Sequence, residues 1–197
     1  MAKVSWRGGT LLAPVPPALI TCSDGERSNV FTVAWTGTIN TMPPKTYISV
    51  RSTRYSYDII KKSGKFVINL TTEQLVKAAD FCGARSGRDL DKFKEMELAV
   101  EPSPVLGIPM LCDSPVSLEC KVFEIKQLGS HDMFMADIVG ISVDDRFIDV
   151  GGKLRMDKAR IVAFAHGSYY GLGSFLGSFG FSVMKKKTAK RKNIKLR

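Results

Sequence analysis

Two arginines and three aliphatic hydroxyls crowd the six residues Arg51-Ser52-Thr53-Arg54-Tyr55-Ser56, where an alternating pattern gives way to a helical one. Backbone N–H groups at a helix start, joined by hydroxyls and guanidiniums, form a cradle for a phosphate or another anion. Capping by Thr53 or Ser56, with both arginines left in solvent, would use the same residues. The closeness of the two arginines favours an anion site. A second polar stretch, Gly83 to Lys92, carries Arg85, Arg88 and Lys92 between glycines and offers a place where another anionic group could be met. Loops this polar otherwise belong to the solvated surface.

Other chemistries find less support. The four cysteines, at positions 22, 82, 112 and 120, form no Cys-x-x-Cys pair and have no histidine at metal-ligand spacing, so zinc or iron–sulfur ligation is not expected. They read as reduced thiols of a cytosolic protein. Cys120 falls on the apolar side of an alternating run, and Cys82 precedes Gly83 near a helix end. His131 and His166 stand alone, and no nucleophile elbow or Ser/His/Asp order supports hydrolysis. Gly171-x-Gly173 lacks the helix and acidic residue of a dinucleotide fingerprint.

The elements that must position these groups are mostly strands. Pro17 to Thr21 and Asn29 to Thr36 flank Asp24-Gly25, a hairpin signal. Asn29, Phe31, Val33 and Trp35 share one face; a ring could be bracketed there, but core packing explains them. Gly37 to Thr41 extends further. Tyr47, Ser49 and Arg51 alternate with Ile48, Val50 and Ser52 as a half-buried strand. A short helix from Thr53 or Arg54 ends at Ser63-Gly64, and Lys65 to Leu70 is another strand. Thr71 and Gln74 have capping-box spacing for a helix through Leu75, Ala78 and Phe81, broken at Gly83 to Gly87, with a turn or two between Asp89 and Met96. Pro115 to Leu128 and Asp132 to Val143 form two long extended segments, followed by Arg160 to Ala165. With helices confined to positions 53–96, the order predicts an antiparallel barrel or sandwich with helices packed on it.

The net charge of +10 sits at one end, because Lys185 to Arg197 holds eight basic residues and no acidic one. Before position 185 there are 21 basic and 19 acidic residues, so the body is nearly neutral. A solvated, disordered tail is favoured over a nucleic-acid or lipid tether, since no aromatics interleave the cations for base stacking. No apolar run approaches a membrane span, and prolines at 14, 16 and 17 break any signal-peptide core; a cytoplasmic location is expected.

Taken together, the motifs resemble the flavin-reductase-like family of FMN-binding split barrels, and its flavoredoxin branch in particular. The resemblance runs in consistent order over residues 10–182, through Asn29 to Trp35, Pro43-Pro44, Arg54-Tyr55-Ser56-Tyr57, Phe66 to Leu70, Phe81-Cys82-Gly83, Ser86 to Phe93, Leu118-Glu119-Cys120, Gly129-Ser130-His131-Asp132 and Tyr169 to Gly173. It implies a mainly β fold, a six-stranded antiparallel Greek-key split β-barrel with packed helices, over residues 1–184, and a basic tail at 185–197. It further implies a homodimer holding one FMN per subunit near its interface. FMN-binding positions carried over are Asn29, Trp35, Ser56, Lys92, His131 and Phe164; the adjoining segments add Thr32, Val33, Ala34, Ser49, Arg51, Arg54, Cys82, Gly83 and Ser86. The family often has Thr where Ser56 stands, so the hydroxyl is kept. Ser56, Arg54 and the helix start would take the phosphate. Thr32 to Trp35 would line the ring with backbone N–H groups toward N5 and O4, and Lys92 would offer charge to the phosphate or the N1/O2 edge. No catalytic side chain is expected, because the chemistry belongs to the cofactor. NAD(P)H or a redox protein would be the donor, and a flavin, ferric iron or a protein the acceptor. A non-catalytic FMN-binding protein, or one tethered to nucleic acid through Lys185–Arg197, is the alternative.

Overall fold

The structure, a computed structural model, describes residues 1–184; the expected solvated tail lies outside the described residues. Strands β1 (Ala18–Ser23) and β2 (Ser28–Val33) form one hairpin, and β3 (Thr36–Thr41) with β4 (Pro44–Val50) forms a second. Helix α1 (Tyr55–Ser63) leads into β5 (Lys65–Leu70), followed by α2 (Val76–Ala84) and the short α3 (Lys92–Glu95). A ribbon of β6 (Val100–Pro102) and β7 (Pro109–Leu111) precedes the long hairpin of β8 (Val116–Gln127) and β9 (Asp132–Val143). A last ribbon pairs β10 (Val162–Ala165) with β11 (Ser168–Gly171).

Seven strands form the main sheet in the order β2-β1-β5-β8-β9-β4-β3, every pair antiparallel. β2 and β3 follow each other in the chain yet lie on opposite edges. Pairing with β1 ends at Val33 opposite Ala18, and pairing with β4 begins at Thr36 opposite Ile48, so Ala34 and Trp35 belong to neither ladder. The Ser49 N–H donates to the Trp35 carbonyl at 2.9 Å and ties β4 to this bend. The sheet is thereby curled but not closed, a split barrel of the expected class. It counts seven strands because the segment after the bend pairs as a strand of its own. In the β8–β9 hairpin, register shifts at Glu119/Cys120 and Val122/Glu124 mark bulges, which increase local twist and let one hairpin serve both halves of the barrel.

β1 is buried on both faces, which is why its sequence is apolar without alternation. Ile20 and Cys22 face the barrel interior with Phe31, Ile48, Ile60, Phe66 and Phe134. Leu19 faces a second cluster built with Val30 and the apolar side of α2, including Leu75, Ala79 and Cys82. α1 ends as its sequence predicts, at Gly64 in the left-handed region (φ 66°), whose N–H reaches the Ile60 carbonyl at 2.8 Å.

One local expectation is corrected. The Thr71/Gln74 capping box does not form: α2 starts at Val76 and runs through Gly83, while Thr71 and Thr72 pair with Val162 and Ile161 as an edge. Backbone pairing with a distant segment of the same chain has taken the residues that local capping would have used. The hairpin signalled by Asp24-Gly25 forms, and its turn is a four-residue loop in which the Asp24 carboxylate accepts the amides of Glu26 and Arg27.

The outer face of the sheet, under the β6–β7 ribbon, is pinned by Asn69, fully buried on β5. Its amide donates to the Leu19 carbonyl at 2.9 Å and to Thr21 Oγ1 at 3.1 Å, and its oxygen accepts from Leu111 N at 3.0 Å and Ser117 Oγ at 2.9 Å. Four elements meet on one side chain, in an environment where an unpaired partner loses its solvation outright. Asn69→Ala is expected to destabilise the fold by about 3 kcal/mol, read as a lowered denaturant midpoint with an unchanged slope. A midpoint equal to wild type would show that water replaces the network without loss.

Candidate functional site

The β4–α1 junction is where the anion cradle is expected. Arg54 occupies the N-cap with extended backbone (φ −70°, ψ 138°), and no side chain caps α1. The capping alternative for Thr53 and Ser56 is therefore not realised, and the positive end of the helix is left for another anion. Ser56, 1% exposed, receives the Asn29 side-chain amide at 2.7 Å, which leaves its own hydroxyl proton free to donate onward. This corner borders a cavity of 300 Å³ lined by five cations, Arg51, Arg54, Arg85, Arg88 and Lys92, and by no carboxylate.

Two reciprocal bonds hold the cavity wall. Arg54 Nη1 donates to the Gly83 carbonyl at 2.8 Å, and Arg88 Nη1 donates to the Thr53 carbonyl at 3.0 Å. Each arginine thus fastens the other's segment, and the Arg88 guanidinium also lies 5.8 Å from the centre of the Tyr55 ring. Gly87 is required at the closest approach: a Cβ there would stand 2.4 Å from Asn29 Oδ1 and 2.8 Å from a Tyr55 ring carbon. Lys92 is only 3% exposed, and its ammonium donates to the Cys82 carbonyl at 3.0 Å and the Arg85 carbonyl at 3.3 Å, at the negative end of α2. Burial, with help from Arg54, pulls its pKa down to about 8.

A second cavity, of 170 Å³, opens beside the first and shares Phe31, Arg51 and Arg54 with it. Its walls are Thr32, Val33, Ala34 and Trp35 from the bend, Ser49 and Val50 from β4, and His131 from the β8–β9 turn. The Trp35 and His131 rings lie 4.5 Å apart at 45°. His131 has its pKa lowered by partial burial and by Arg51 and Arg54, which favours the neutral imidazole. The arrangement offers a slot for a planar ring at one end and a cationic, amide-lined cradle at the other.

Of the residues nominated from sequence, Thr32, Val33, Ala34, Trp35, Ser49, Arg51, Arg54 and His131 meet in the ring cavity, and Asn29, Arg51, Arg54, Ser56, Ser86 and Lys92 in the cationic one. Phe31 and Val33 are core, as the shared face suggested, whereas Trp35 is 42% exposed and belongs to the slot. Three nominees stand apart. Cys82 has its side chain in the apolar cluster under α2, and burial raises its thiol pKa to about 11, so it contributes a carbonyl to Lys92 and no reactive thiol. Gly83 stands behind the cradle, with its carbonyl on Arg54. Phe164 lines a neighbouring cavity with Leu11, Leu12, Val15 and His166, across Trp35 from the slot. Sequence reasoning missed the buried pair beneath His131, in which the Tyr57 hydroxyl donates to Asp132 Oδ2 at 2.5 Å and anchors the β8–β9 turn to α1. It also missed the role of Gly87. Neither leaves a signal at short range, because each depends on a partner more than fifty residues away.

A family model described as flavin reductase like domain matches residues 11–172. Flavoredoxin of Desulfovibrio vulgaris (Miyazaki F) superimposes with a TM-score of 0.85 and 28% identity, covering 93% of this chain and all of that one. The NADPH-flavin oxidoreductase of Streptomyces viridifaciens is 26% identical over 135 residues, 68% of this chain and 69% of that protein. An uncharacterized protein of Aeropyrum pernix is 30% identical over 137 residues, and the chain spans about half the length of that relative (52%). Among the described residues no helix is long and apolar enough to cross a membrane, and no group of three or more metal-ligating side chains gathers.

The state of Lys92 sets a pH dependence of defined sign. Its folded pKa of about 8 lies below the ordinary lysine value of 10.5, so the unfolded chain binds the extra proton between these limits. Below pH 8 the ammonium is charged in both states and the full burial penalty is present; the penalty fades as pH rises from 8 toward 10.5. Lys92→Met should remove this alkaline gain, measured as the urea midpoint at pH 7.5 and pH 10 in both proteins. Equal midpoint changes in the two would exclude Lys92 as the titrating group.

Proposed function

Given that this chain belongs to the family of flavin reductase-like domains, we propose that it is an FMN-binding oxidoreductase of the flavoredoxin or flavin-reductase type. One observation carries the reading: an uncapped, cation-ringed helix start adjoins a slot whose wall includes the unladdered Ala34 and Trp35, and the two share Arg51 and Arg54. A phosphorylated flavin has these two ends, a dianion and a planar ring. Its phosphate suits the donor set of Ser56, the first-turn amides of α1 and Arg54.

When bound, FMN supplies the redox chemistry, taking a hydride equivalent from a reduced nicotinamide, or electrons from a redox protein, and passing electrons to a flavin, ferric or protein acceptor. The protein's work is placement. Asn29 orients the Ser56 hydroxyl, and the Arg54–Gly83 bond holds the guanidinium at the cradle. Thr32 to Trp35 line the ring, with Trp35 and His131 as one wall. Arg51, at the join of the two cavities, sets a positive field near the ring, which favours an electron-rich ligand. Lys92, committed to two carbonyls, shapes the cradle from behind. A homodimer is part of this proposal; exposed Phe123, Val139 and Ile141 on the β8–β9 hairpin give a second copy an apolar face to cover.

Anaerobic absorbance titration tests the reading. The FMN-loaded protein should bleach with NADPH or NADH, or, if it is an electron carrier, with a reduced ferredoxin. Ser56→Ala should raise the FMN dissociation constant about tenfold, the equivalent of one charge-assisted hydrogen bond. Failure of the wild-type protein to retain any flavin would overturn the assignment.

A further inference from the structure

The cationic cavity carries more positive charge than one phosphate dianion requires, and the charge is not evenly committed. Arg54 and Arg88 are tied to carbonyls across the wall, and Lys92 is buried against two more. Arg85 differs: it lines the cavity, is exposed, and among the described residues its side chain makes no hydrogen bond or ion pair. It follows directly on the C-terminus of α2, and its own carbonyl is held by Lys92, so its backbone is fixed while its guanidinium is free. No carboxylate lines the cavity to neutralise it. An unpaired guanidinium on a fixed backbone, at the lip of a concave and wholly cationic cavity, suits a further phosphate ester delivered by a small molecule. A flat, exposed patch would suit an acidic protein surface better.

We propose that Arg85 recognises a second phosphate, the 2′-phosphate of the reducing nucleotide, so that the hydride donor is NADPH in preference to NADH. The inference rests on the FMN reading above and deepens it by naming the donor. In the step it serves, the C4–H bond of the dihydronicotinamide breaks and its hydrogen leaves with both electrons. The nucleotide becomes the oxidised pyridinium, and bound flavin, with one solvent proton, takes up the reducing equivalents. Arg85 takes no part in the bond changes. It holds the phosphate, and its effect is on binding.

The experiment uses the FMN-loaded full chain, first scored for flavin retention by its absorbance, then reduced anaerobically by NADPH and NADH over a range of concentrations. The expected result is a half-saturating concentration about tenfold or more lower for NADPH, as one bidentate phosphate contact provides. In Arg85→Ala, compared at equal flavin occupancy, the NADPH value should rise about tenfold while the NADH value moves by less than about twofold, and Arg85→Lys should fall between; flavin lost from Arg85→Ala would put the guanidinium on the FMN phosphate and overturn the inference. 2′,5′-ADP should compete with NADPH in wild type and lose this ability in Arg85→Ala, which separates the 2′-phosphate from general screening of charge. Flavin retained with no preference between the nucleotides, or equal loss for both in Arg85→Ala, overturns the inference and leaves the FMN reading standing. Reduction only by an acidic redox protein, weakening as salt rises, also overturns it. A wild-type protein without flavin removes the proposed function itself, and this inference with it.

Discussion

A strand cannot pair on both edges of one sheet without leaving its ladder somewhere, and in this chain it does so at Ala34 and Trp35. Everything that defines the groove follows from that constraint. The backbone between β2 and β3 must cross from one edge to the other, and backbone polar groups that leave a ladder need other partners or solvent. The Ser49–Trp35 bond supplies one such partner and ties the bend to β4. The slot is the gap in a barrel that its own connectivity prevents from closing, and a planar ligand can enter it without breaking any strand pairing.

The anion cradle is a second consequence of the same geometry, one turn further along. β4 delivers Ser49 and Arg51 to the slot on alternate residues and then releases the chain into α1, whose open N-terminus faces the loop after α2. Like charges would ordinarily push that loop away. Here the repulsion is contained because the arginines are tied to carbonyls of the opposing segment, and because Gly87 lets the loop backbone rest on Asn29 and Tyr55. The field of the cavity is thus paid for by main-chain oxygens, with no acidic side chain drawn in to cancel it.

Much of this was legible in the residues. The two long extended segments, the αL end of α1 and the Arg-Ser-Thr-Arg cradle all follow from local chemistry, and local chemistry is what a single sequence displays. What misled were residues whose local option lost to a distant one. Thr71 has capping-box spacing but pairs with a strand nearly a hundred positions later, and Trp35 shares a face with core residues yet sits where the strand leaves its ladder. The bend has no signature in residue type, since Ala34 and Trp35 are both compatible with a continuous strand. Cys82 illustrates the converse: its motif neighbourhood points to the groove, while its side chain fills the apolar space that α2 must cover.

The β8–β9 hairpin has one more implication. Its turn carries His131, braced from below by Tyr57 and Asp132, while Phe123, Val139 and Ile141 are exposed along its length. Spanning twelve residues on each strand, it is bent and twisted at its two bulges. The imidazole of the slot wall and these exposed apolar side chains therefore stand on one hairpin, so a surface that covered the apolar residues would rest on the same element that carries the wall.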